Sequence, residues 1–322
     1  MFEIVITLFT CIMLCVTLVP LLPSNHWLSR VWEFPRVQIA VLTVSLTIAS
    51  FFLSSPSMVI AFVSINGLLS LYQIAWIFPY TRLYPVQVKK ALAPYQQSIK
   101  IMTSNVLMTN HSADKLIKLI RLYKPDVVVT LETDQWWEDA LQPIHSEYPH
   151  RVNCPLDNLY GMHLYSKFVL EDVKLLELIE EGIPSIHCYL VLKNNIKVKC
   201  HFLHPAPPSP TENTTSTPRD KELLVIAKQV AGQTEPIIVT GDLNDVAWSP
   251  TTRAFRRISG LKDPRMGRGM FNTFHASYPI MRWPLDHIFH SEHFELGKIQ
   301  RMPSIDSDHF PLLSELVYVN KQ

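Results

Sequence analysis

Charged side chains are almost absent from the first quarter of this chain. The whole sequence of 322 residues carries 29 basic and 28 acidic side chains. The first 81 residues contain only four of them, Glu3, Arg30, Glu33 and Arg36. Two uncharged apolar runs fill this part, at 4–22 and 37–81. So uneven a distribution predicts that the two parts of the chain lie in different physical environments.

The two apolar runs are long enough for three membrane-spanning helices. A helix rises about 1.5 Å per residue and the hydrocarbon core of a bilayer is about 30 Å thick. The second run therefore has room for two crossings, with a polar turn at 54–57 between them. We predict spans at about 4–22, 37–54 and 58–79. Aromatic residues typical of membrane interfaces lie near their ends, namely Trp27, Trp32, Trp76 and Tyr80.

A cleaved signal peptide followed by buried soluble helices is the alternative interpretation of these runs. The residues Met1, Phe2 and Glu3 provide no basic segment of the kind that begins a signal peptide. The segment 37–53 shows little of the polar face that a surface helix of a soluble protein would have. We therefore expect an integral, multi-pass membrane protein that contacts the lipid bilayer through its N-terminal helices.

The few charges near the spans give a weak indication of orientation. Arg30 and Arg36 precede the second span, and Arg82, Lys89 and Lys90 follow the third. These basic residues lie on one side of the membrane if there are three spans. The positive-inside rule makes that side cytoplasmic.

The same change in composition divides the chain into parts. We predict a transmembrane region at 1–81, a linker at 82–96 and a catalytic domain at 97–322. The domain is expected to fold without the first 81 residues.

Strand and helix patterns in the last part predict an α/β fold. Apolar, β-branched runs predict strands at 98–106, 127–131, 161–166, 236–240, 285–289 and 311–317, and a hairpin at 186–192 and 196–203. Helices are expected after Ser112 and at 218–231. Hairpins beside strands that are followed by helices indicate two packed sheets flanked by helices, a four-layer α/β sandwich.

Polar side chains cluster where these strands begin or end. They are Asn105, Glu132, Asp242, Asn244, Asp286, His287, Asp308 and His309. Carboxylates brought together at one sheet edge repel one another, and a divalent cation removes that cost. Carboxylate and amide oxygens favour a hard ion, so the sequence predicts Mg²⁺ or Mn²⁺ rather than zinc.

Five motifs, taken in order, resemble the signature of the endonuclease/exonuclease/phosphatase superfamily. They are Thr-Ser-Asn-Val at 103–106, Pro-Asp-Val-Val-Val-Thr-Leu-Glu at 125–132, Val-Thr-Gly-Asp-Leu-Asn at 239–244, Leu-Asp-His-Ile-Phe at 285–289 and Ser-Asp-His-Phe-Pro at 307–311. That superfamily includes pancreatic deoxyribonuclease, apurinic endonucleases, inositol-phosphate 5-phosphatases and sphingomyelinases. The resemblance covers about 98–318.

The resemblance implies a role for each matching residue. Glu132 and Asp308 would hold the metal, with Asn105 and Asp242 nearby. Asp242 would orient or deprotonate the attacking water, and Asn244 would bind the phosphate. Asp286 would orient His309, and His309 would bind or protonate the scissile phosphate. His204 would assist at the phosphate or the leaving group.

Several histidines and arginines allow more than one interpretation. His204 is followed by the proline-rich segment 205–208 instead of a short apolar stretch, and His201 nearby offers a competing zinc-like pairing. The run His287, His290 and His293 is interpreted as a solvated strand edge. The arginines Arg265, Arg268 and Arg282 either contact an anionic substrate or occupy a surface loop.

These observations predict a membrane-anchored, divalent-metal-dependent phosphodiesterase in which water attacks a phosphate in line. The substrate is a phosphoester, either nucleic acid or phospholipid. One alternative is a hydrolase of phospholipid or inositol-phosphate head groups, and another is a non-catalytic membrane scaffold that keeps the fold. Residues 82–322 carry 27 basic and 26 acidic side chains, a balance that shows no strong excess of positive charge for binding nucleic acid and leaves local basic patches open.

Overall fold

The computed structural model describes residues 1–95 and 97–319. Its N-terminal part is helical, with α1 at Phe2–Leu18, α2 at Trp27–Arg30, α3 at Arg36–Ser50 and α4 at Pro56–Ile77. Short 3₁₀ turns follow α1, α2 and α4, at Val19–Leu21, Val31–Glu33 and Phe78–Tyr80.

Two of the three predicted spans are long and apolar enough to cross a membrane. They are Phe2–Leu21 and Pro56–Tyr80. The helix α3 has 15 residues, which corresponds to about 22 Å and is shorter than a hydrocarbon core. It qualifies only together with Trp27–Glu33, from which it is bent by 69°. Pro35 lies at that bend, where its ring prevents a continuous helix. The count is therefore two, or three if the bent pair forms one broken span.

The bundle of α1, α3 and α4 has polar contacts inside and apolar side chains outside. Gln73 donates to Thr17 Oγ1 over 3.0 Å and accepts a hydrogen bond from Arg36 Nη1, also over 3.0 Å. Ile4 and Leu68 are 72% and 68% exposed on the outer surface. Polar groups that face one another inside an apolar shell are typical of helices packed within a bilayer.

The rest of the chain forms two mixed sheets. The first sheet has the strand order β10-β11-β1-β2-β4-β3 and the second has the order β5-β6-β7-β8-β9. The strands are β1 Ser98–Asn105, β2 Val127–Leu131, β3 His150–Cys154, β4 Met162–Ser166, β5 Val169–Leu176, β6 Ser185–Val191, β7 Lys197–Leu203, β8 Ile237–Asp242, β9 Asp286–His290, β10 Phe294–Arg301 and β11 Leu312–Tyr318. The helices are α5 Ala113–Tyr123, α6 Gln135–Ala140, α7 Thr217–Val230 and α8 Pro250–Ser259.

Apolar side chains fill the three spaces between these layers. The inner faces of both sheets meet in one cluster that includes Val129 and Ile238. The helices α5 and α6 cover the outer face of the first sheet, and α7 and α8 cover that of the second. The predicted four-layer sandwich is thus confirmed, including the hairpin, whose strands β6 and β7 pair antiparallel.

The strands that the sequence pattern did not predict are β3, β5 and β10. Each lies at an edge of its sheet. In β5 nearly every residue is exposed, so no apolar alternation marks it. The short helices α6 and α8 were missed as well, because neither carries a long apolar stripe.

A pair of threonine hydroxyl groups connects the two sheets in the buried interior. Thr103 in β1 lies 3.1 Å from the Oγ1 of Thr240 in β8, and the Thr240 hydroxyl donates to the carbonyl of His287. Because Thr240 donates its proton there, Thr103 is the donor to Thr240. The contact lies two residues before Asn105 on one sheet and before Asp242 on the other.

The N-terminal part contacts the sandwich directly. The Tyr80 hydroxyl donates to the carbonyl of Ala247 over 2.6 Å, and Trp248 Nε1 donates to the carbonyl of Glu33 over 2.8 Å. The segment after residue 81 also packs on the domain, since Val88 is buried. These contacts argue against the expectation that the domain folds alone. The proposed division stays a prediction, and its limits at 96 and 322 lie outside the described residues.

Candidate active site

The ends of four strands bring the predicted polar residues to one end of the sandwich. Asn105 ends β1, and Glu132 follows the neighbouring parallel strand β2. Asp242 ends β8 and pairs in register with Asp286 at the start of β9. The first sheet therefore supplies Asn105 and Glu132, and the second supplies the two aspartates.

Gly241 permits the backbone conformation that places Asp242. Its φ is +151°, and a Cβ atom at this position would lie 1.9 Å from the carbonyl oxygen of Leu203. Only glycine allows so close an approach between β7 and β8. The close contact with Leu203 therefore explains why glycine precedes Asp242 in the sequence motif.

His309 lies between two carboxylates at the centre of the site. Its Nδ1 is 2.8 Å from Asp286 Oδ2, and its Nε2 is 3.3 Å from Asp242 Oδ2. Burial alone would lower the pKa of His309. The charges of Asp242 and Asp286 and the hydrogen bond to Asp286 outweigh burial and raise the pKa to about 10. His309 is therefore an imidazolium at neutral pH.

Asp242 is fully buried and accepts several hydrogen bonds. The backbone N–H of Asn244 donates to its Oδ1 over 2.9 Å, and Asn105 Nδ2 donates to its Oδ2 over 3.1 Å. Burial acts to raise the pKa of Asp242, but the charge of His309 and these hydrogen bonds lower it below its usual value. Asp242 is thus held in its ionised form.

Glu132 is the carboxylate that the first sheet contributes to the site. Asn105 Nδ2 donates to its Oε1 over 2.6 Å. Burial raises the pKa of Glu132 to about 7, although the hydrogen bond from Asn105 opposes this rise. Its backbone φ is +60°, a left-handed conformation that a glutamate seldom adopts. Such strain is common at functional sites.

A cleft of about 360 Å³ opens onto these groups. Its polar lining residues are Glu132, Tyr160, His204, Glu212, Asn244, Asp308 and His309. Its remaining lining residues are apolar, namely Val31, Phe34, Leu159, Pro207, Pro208, Phe274, Trp283 and Leu285. Five of the eight predicted site residues line the cleft directly, and Asn105, Asp242 and Asp286 lie behind them through the contacts given above.

His204 belongs to this site, whereas His201 does not. His204 Nε2 is 3.9 Å from Asp242 Oδ2, and its ring stacks at a tilt against Tyr160. Burial lowers the pKa of His204 to about 4, so the ring is neutral. His201 instead hydrogen-bonds His187 in a separate pocket. The competing zinc-like pairing of His201 with His204 is therefore wrong.

The prediction of a solvated histidine edge is also wrong. His287 and His290 are fully buried in β9, because this strand packs against both the inner core and α8. His287 Nε2 donates to the carbonyl of Asp245 over 2.8 Å. Its Nδ1 accepts from Arg265 over 2.7 Å.

Arg265 has a structural role that neither of its two sequence interpretations included. It is fully buried and makes two side-chain hydrogen bonds to Asp263, over 2.9 and 2.8 Å. Its Nη1 donates to the carbonyl of Asp286 over 3.1 Å. Arg265 therefore supports the backbone that carries Asp286. No motif in the sequence indicated this, since an isolated arginine carries no burial signal.

The donor groups of the site fit a divalent cation. Asp242 and Asp286 each place a carboxylate oxygen within 4.8 Å of the other and of a ring nitrogen of His309, which as an imidazolium donates hydrogen bonds and is not itself a ligand. Asp286 Oδ1 is buried and has no hydrogen-bond partner in the described part of the chain. Glu132 has a raised pKa, as expected for crowded, partly desolvated carboxylates. An added positive charge would relieve this crowding.

The predicted metal ligands differ in how they are oriented. Glu132 and Asp308 line the cleft. Asn105 presents its amide nitrogen to the carboxylates, and its Oδ1 accepts from the N–H of Leu107 over 3.1 Å. In this geometry Asn105 stabilises the carboxylates of Glu132 and Asp242 by donating hydrogen bonds to them. The assignment of Asn105, Glu132 and Asp308 as metal ligands stays a prediction.

Comparisons with known proteins agree with this geometry. Residues 102–309 match the family described as Endonuclease/Exonuclease/phosphatase family. Among curated proteins, none is a significant sequence match. An endonuclease/exonuclease/phosphatase from Beutenbergia cavernae is similar in structure, with a TM-score of 0.56, 16% identity and coverage of 69% of this chain and 72% of that one.

Two further solved structures are similar over most of the sandwich. The human Nocturnin catalytic domain with bound sulfate has a TM-score of 0.56 and 18% identity, and the match covers 71% of this chain and 96% of that one. The D. rerio TDP2 complexed with a single strand DNA product has a TM-score of 0.56 and 15% identity, with coverage of 69% and 99%. At these identities the likeness concerns the fold.

Proposed function

This chain belongs to the endonuclease/exonuclease/phosphatase family, and from that premise we propose that it is a membrane-anchored, divalent-metal-dependent phosphodiesterase. Water attacks the phosphorus atom, one P–O ester bond breaks, and the leaving oxygen takes up a proton. Members of the family are hydrolases that act on phosphoesters. The membrane anchor is inferred from the two helices that are long and apolar enough to cross a bilayer.

The observation that carries the proposal is the position of His309 between Asp286 and Asp242 at an open cleft. Asp286 accepts from Nδ1, which fixes the ring and leaves Nε2–H directed toward Asp242 and the cleft. A charged imidazolium at this position stabilises the negative charge that develops on a phosphate oxygen. It is also able to give its proton to the leaving oxygen.

Asp242 and Asn244 are the side chains that we propose act on the attacking water and on the phosphate. The ionised carboxylate of Asp242 accepts a hydrogen bond from the attacking water and so orients it toward phosphorus. The side chain of Asn244 lines the cleft and donates to the carbonyl of Pro205 over 3.0 Å. It is placed to exchange this bond for one to a phosphate oxygen. Neutral His204 provides a further polar contact beside Asp242.

The carboxylates of the cleft would hold Mg²⁺ or Mn²⁺. Glu132 and Asp308 are the ligands we propose, because both face the cleft. When bound, such an ion polarises the phosphate and neutralises the crowded acids. A scaffold without chemistry would have no use for this set, and all of its carboxylates are present.

A single screen tests the proposal. The full chain, purified in detergent with Mg²⁺ or Mn²⁺, is incubated with plasmid DNA, RNA, phospholipid and the small diester methyl p-nitrophenyl phosphate. The parent is expected to hydrolyse at least one of them. Asp242→Asn and His309→Ala should each lower kcat by about 10²–10⁴-fold.

Matched control variants separate the site from the rest of the surface. Asp114→Asn alters an exposed aspartate on α5, and His293→Ala alters a half-buried histidine away from the cleft. Both should keep the parent's rate. If no phosphoester is hydrolysed with either metal, or if Asp242→Asn is as active as Asp114→Asn, the proposed function is wrong.

A further inference from the structure

One wall of the active-site cleft comes from the N-terminal membrane region. Val31 and Phe34 line the cleft, although they lie in the connection between α1 and α3. The ring of Phe34 packs edge-on against Trp283 at a centroid distance of 5.7 Å. Trp283 in turn stacks on Phe274, which contacts the ring of His309 at 5.0 Å. A continuous apolar and aromatic surface therefore extends from the catalytic histidine to the start of α3.

A loop at 275–282 joins the same two places. At one end the N–H of Ala276 donates to the carbonyl of Asp308 over 2.6 Å. At the other end Gln38 in α3 donates from Nε2 to the carbonyl of Ile280 over 2.6 Å. The loop thus contacts both the acidic side of the cleft and a helix of the membrane bundle.

The tip of this loop is apolar and exposed. Tyr278, Ile280 and Met281 are 59%, 81% and 53% exposed. Leu28 and Val31 are also more than two fifths exposed in the N-terminal connection. Exposed apolar side chains grouped beside membrane-type helices mark a surface that contacts lipid. We call Val31, Phe34 and the loop 275–282 the lipid-facing wall.

The lack of basic side chains around the cleft, among the described residues, argues against a nucleic-acid substrate. Within residues 1–95 and 97–319, no lysine or arginine lines the cleft, and eight of its lining residues are apolar. A groove for a nucleic-acid backbone is expected to carry basic side chains that neutralise successive phosphates. This cleft instead offers one polar end, suited to a single phosphate, and one apolar wall.

We propose that the substrate is a phosphodiester lipid of the bilayer, and that the lipid-facing wall is where its apolar part binds. The proposal rests on the proposed function and adds the substrate class and the residues that select it. The phosphate lies at His309 and Asn244, which both line the cleft, and the apolar chains extend along Phe34 and Trp283 toward α3. Water adds its oxygen to phosphorus and gives a proton to the Asp242 carboxylate, one P–O ester bond breaks, and the leaving alcohol takes a proton from His309 Nε2.

The test compares substrates with and without apolar chains. The full chain is placed in nanodiscs that contain phosphatidylethanolamine, phosphatidylglycerol or phosphatidylcholine, with Mg²⁺ present. Its kcat/KM on these lipids is compared with that on the deacylated glycerophosphodiesters and on methyl p-nitrophenyl phosphate. At least one lipid should be preferred over its deacylated form by about 10-fold or more, since burial of even one methylene group changes kcat/KM by that order.

Variants locate the preference on the wall. Phe34→Ala should lower this preference by about 10-fold, and Phe34→Leu, which keeps an apolar side chain, should restore most of it. Ile280→Ser should also lower lipid hydrolysis. Because this side chain is 81% exposed, misfolding would not account for such a loss. Leu122→Ser, at a 67% exposed leucine on α5, is the matched control and should behave as the parent.

The outcomes distinguish this inference from the proposed function. If the lipids, the soluble diesters, DNA and RNA all remain unhydrolysed, the proposed function fails. The lipid-facing wall is refuted if kcat/KM on DNA or on the soluble diesters equals that on the lipids. It is also refuted if Phe34→Ala and Ile280→Ser keep the parent's preference for lipids. In both cases the proposed phosphodiesterase activity is retained.

Discussion

Replacing Asp286 by asparagine removes a charge on which the protonation of His309 depends. The carboxylate accepts from His309 Nδ1 over 2.8 Å, and the two side chains are almost completely buried. Asparagine has nearly the same size and keeps an oxygen that accepts this hydrogen bond. The substitution therefore tests the charge of Asp286 with little change in packing.

The expected size of the effect follows from the pKa of His309. That pKa is about 10, against an ordinary value of 6.5. Since one pKa unit corresponds to 1.36 kcal/mol, the surroundings favour the imidazolium by roughly 5 kcal/mol. Asp242 and Asp286 are the main contributors. Loss of one adjacent opposite charge lowers such a pKa by about 1–3.

The sign of the pH dependence follows from the lower pKa of His309 in the variant than in the parent. The imidazolium is present below the pKa of His309 and is lost as pH rises through it. The parent should keep it across about pH 6–9, whereas Asp286→Asn should lose it within that range. The ratio of variant to parent kcat should therefore fall as pH rises.

The measurement is kcat against pH for both proteins at saturating metal and substrate. Asp114→Asn serves as the control for a lost surface carboxylate, and its profile should follow that of the parent. Thermal unfolding of Asp286→Asn confirms that the variant is folded. A ratio of variant to parent kcat that stays constant from about pH 6 to 9 would refute the assigned protonation of His309.

Three further predictions concern the metal and the framework of the site. Glu132→Gln should weaken metal binding, so a Mg²⁺ titration of the initial rate should shift to higher concentration and recover part of the activity; an unchanged titration curve contradicts the role. Gly241→Ala should abolish activity and lower the melting temperature, because its Cβ would lie 1.9 Å from the carbonyl of Leu203; a parent-like melting curve contradicts the steric argument. Arg265→Met should destabilise the fold by about 3–5 kcal/mol, since it leaves Asp263 buried and unpaired, and the double variant with Asp263→Leu should regain much of that loss in thermal unfolding.

The parts of the fold that could be predicted from sequence are those with strong local patterns. The strand at 127–131 is buried on both faces and is β-branched at four of its five positions. The site motifs were recognisable because Asp242 and His309 lie at strand ends, where a sheet gathers polar groups. Edge strands such as β5 were missed, since one exposed strand carries no apolar periodicity.

The lipid-facing wall and the buried ion pair could not be predicted for a different reason. Phe34 and Trp283 are separated by about 250 residues in the sequence, and only the packing of α3 beside the sandwich brings them together. Arg265 and Asp263 are neighbours in a loop, a pattern that usually indicates solvent exposure. Their burial is a consequence of tertiary structure, and no local sequence signal records it.

The hydroxyl contact between Thr103 and Thr240 lies on the seam along which the two halves of the catalytic centre meet. Asn105 and Glu132 move with one half, and Asp242 and Asp286 with the other. A shift of one sheet relative to the other would change the distances between these acids. Substitutions that refill the core beside Thr103 and Thr240 are therefore expected to change the geometry of the site as well as the stability of the domain.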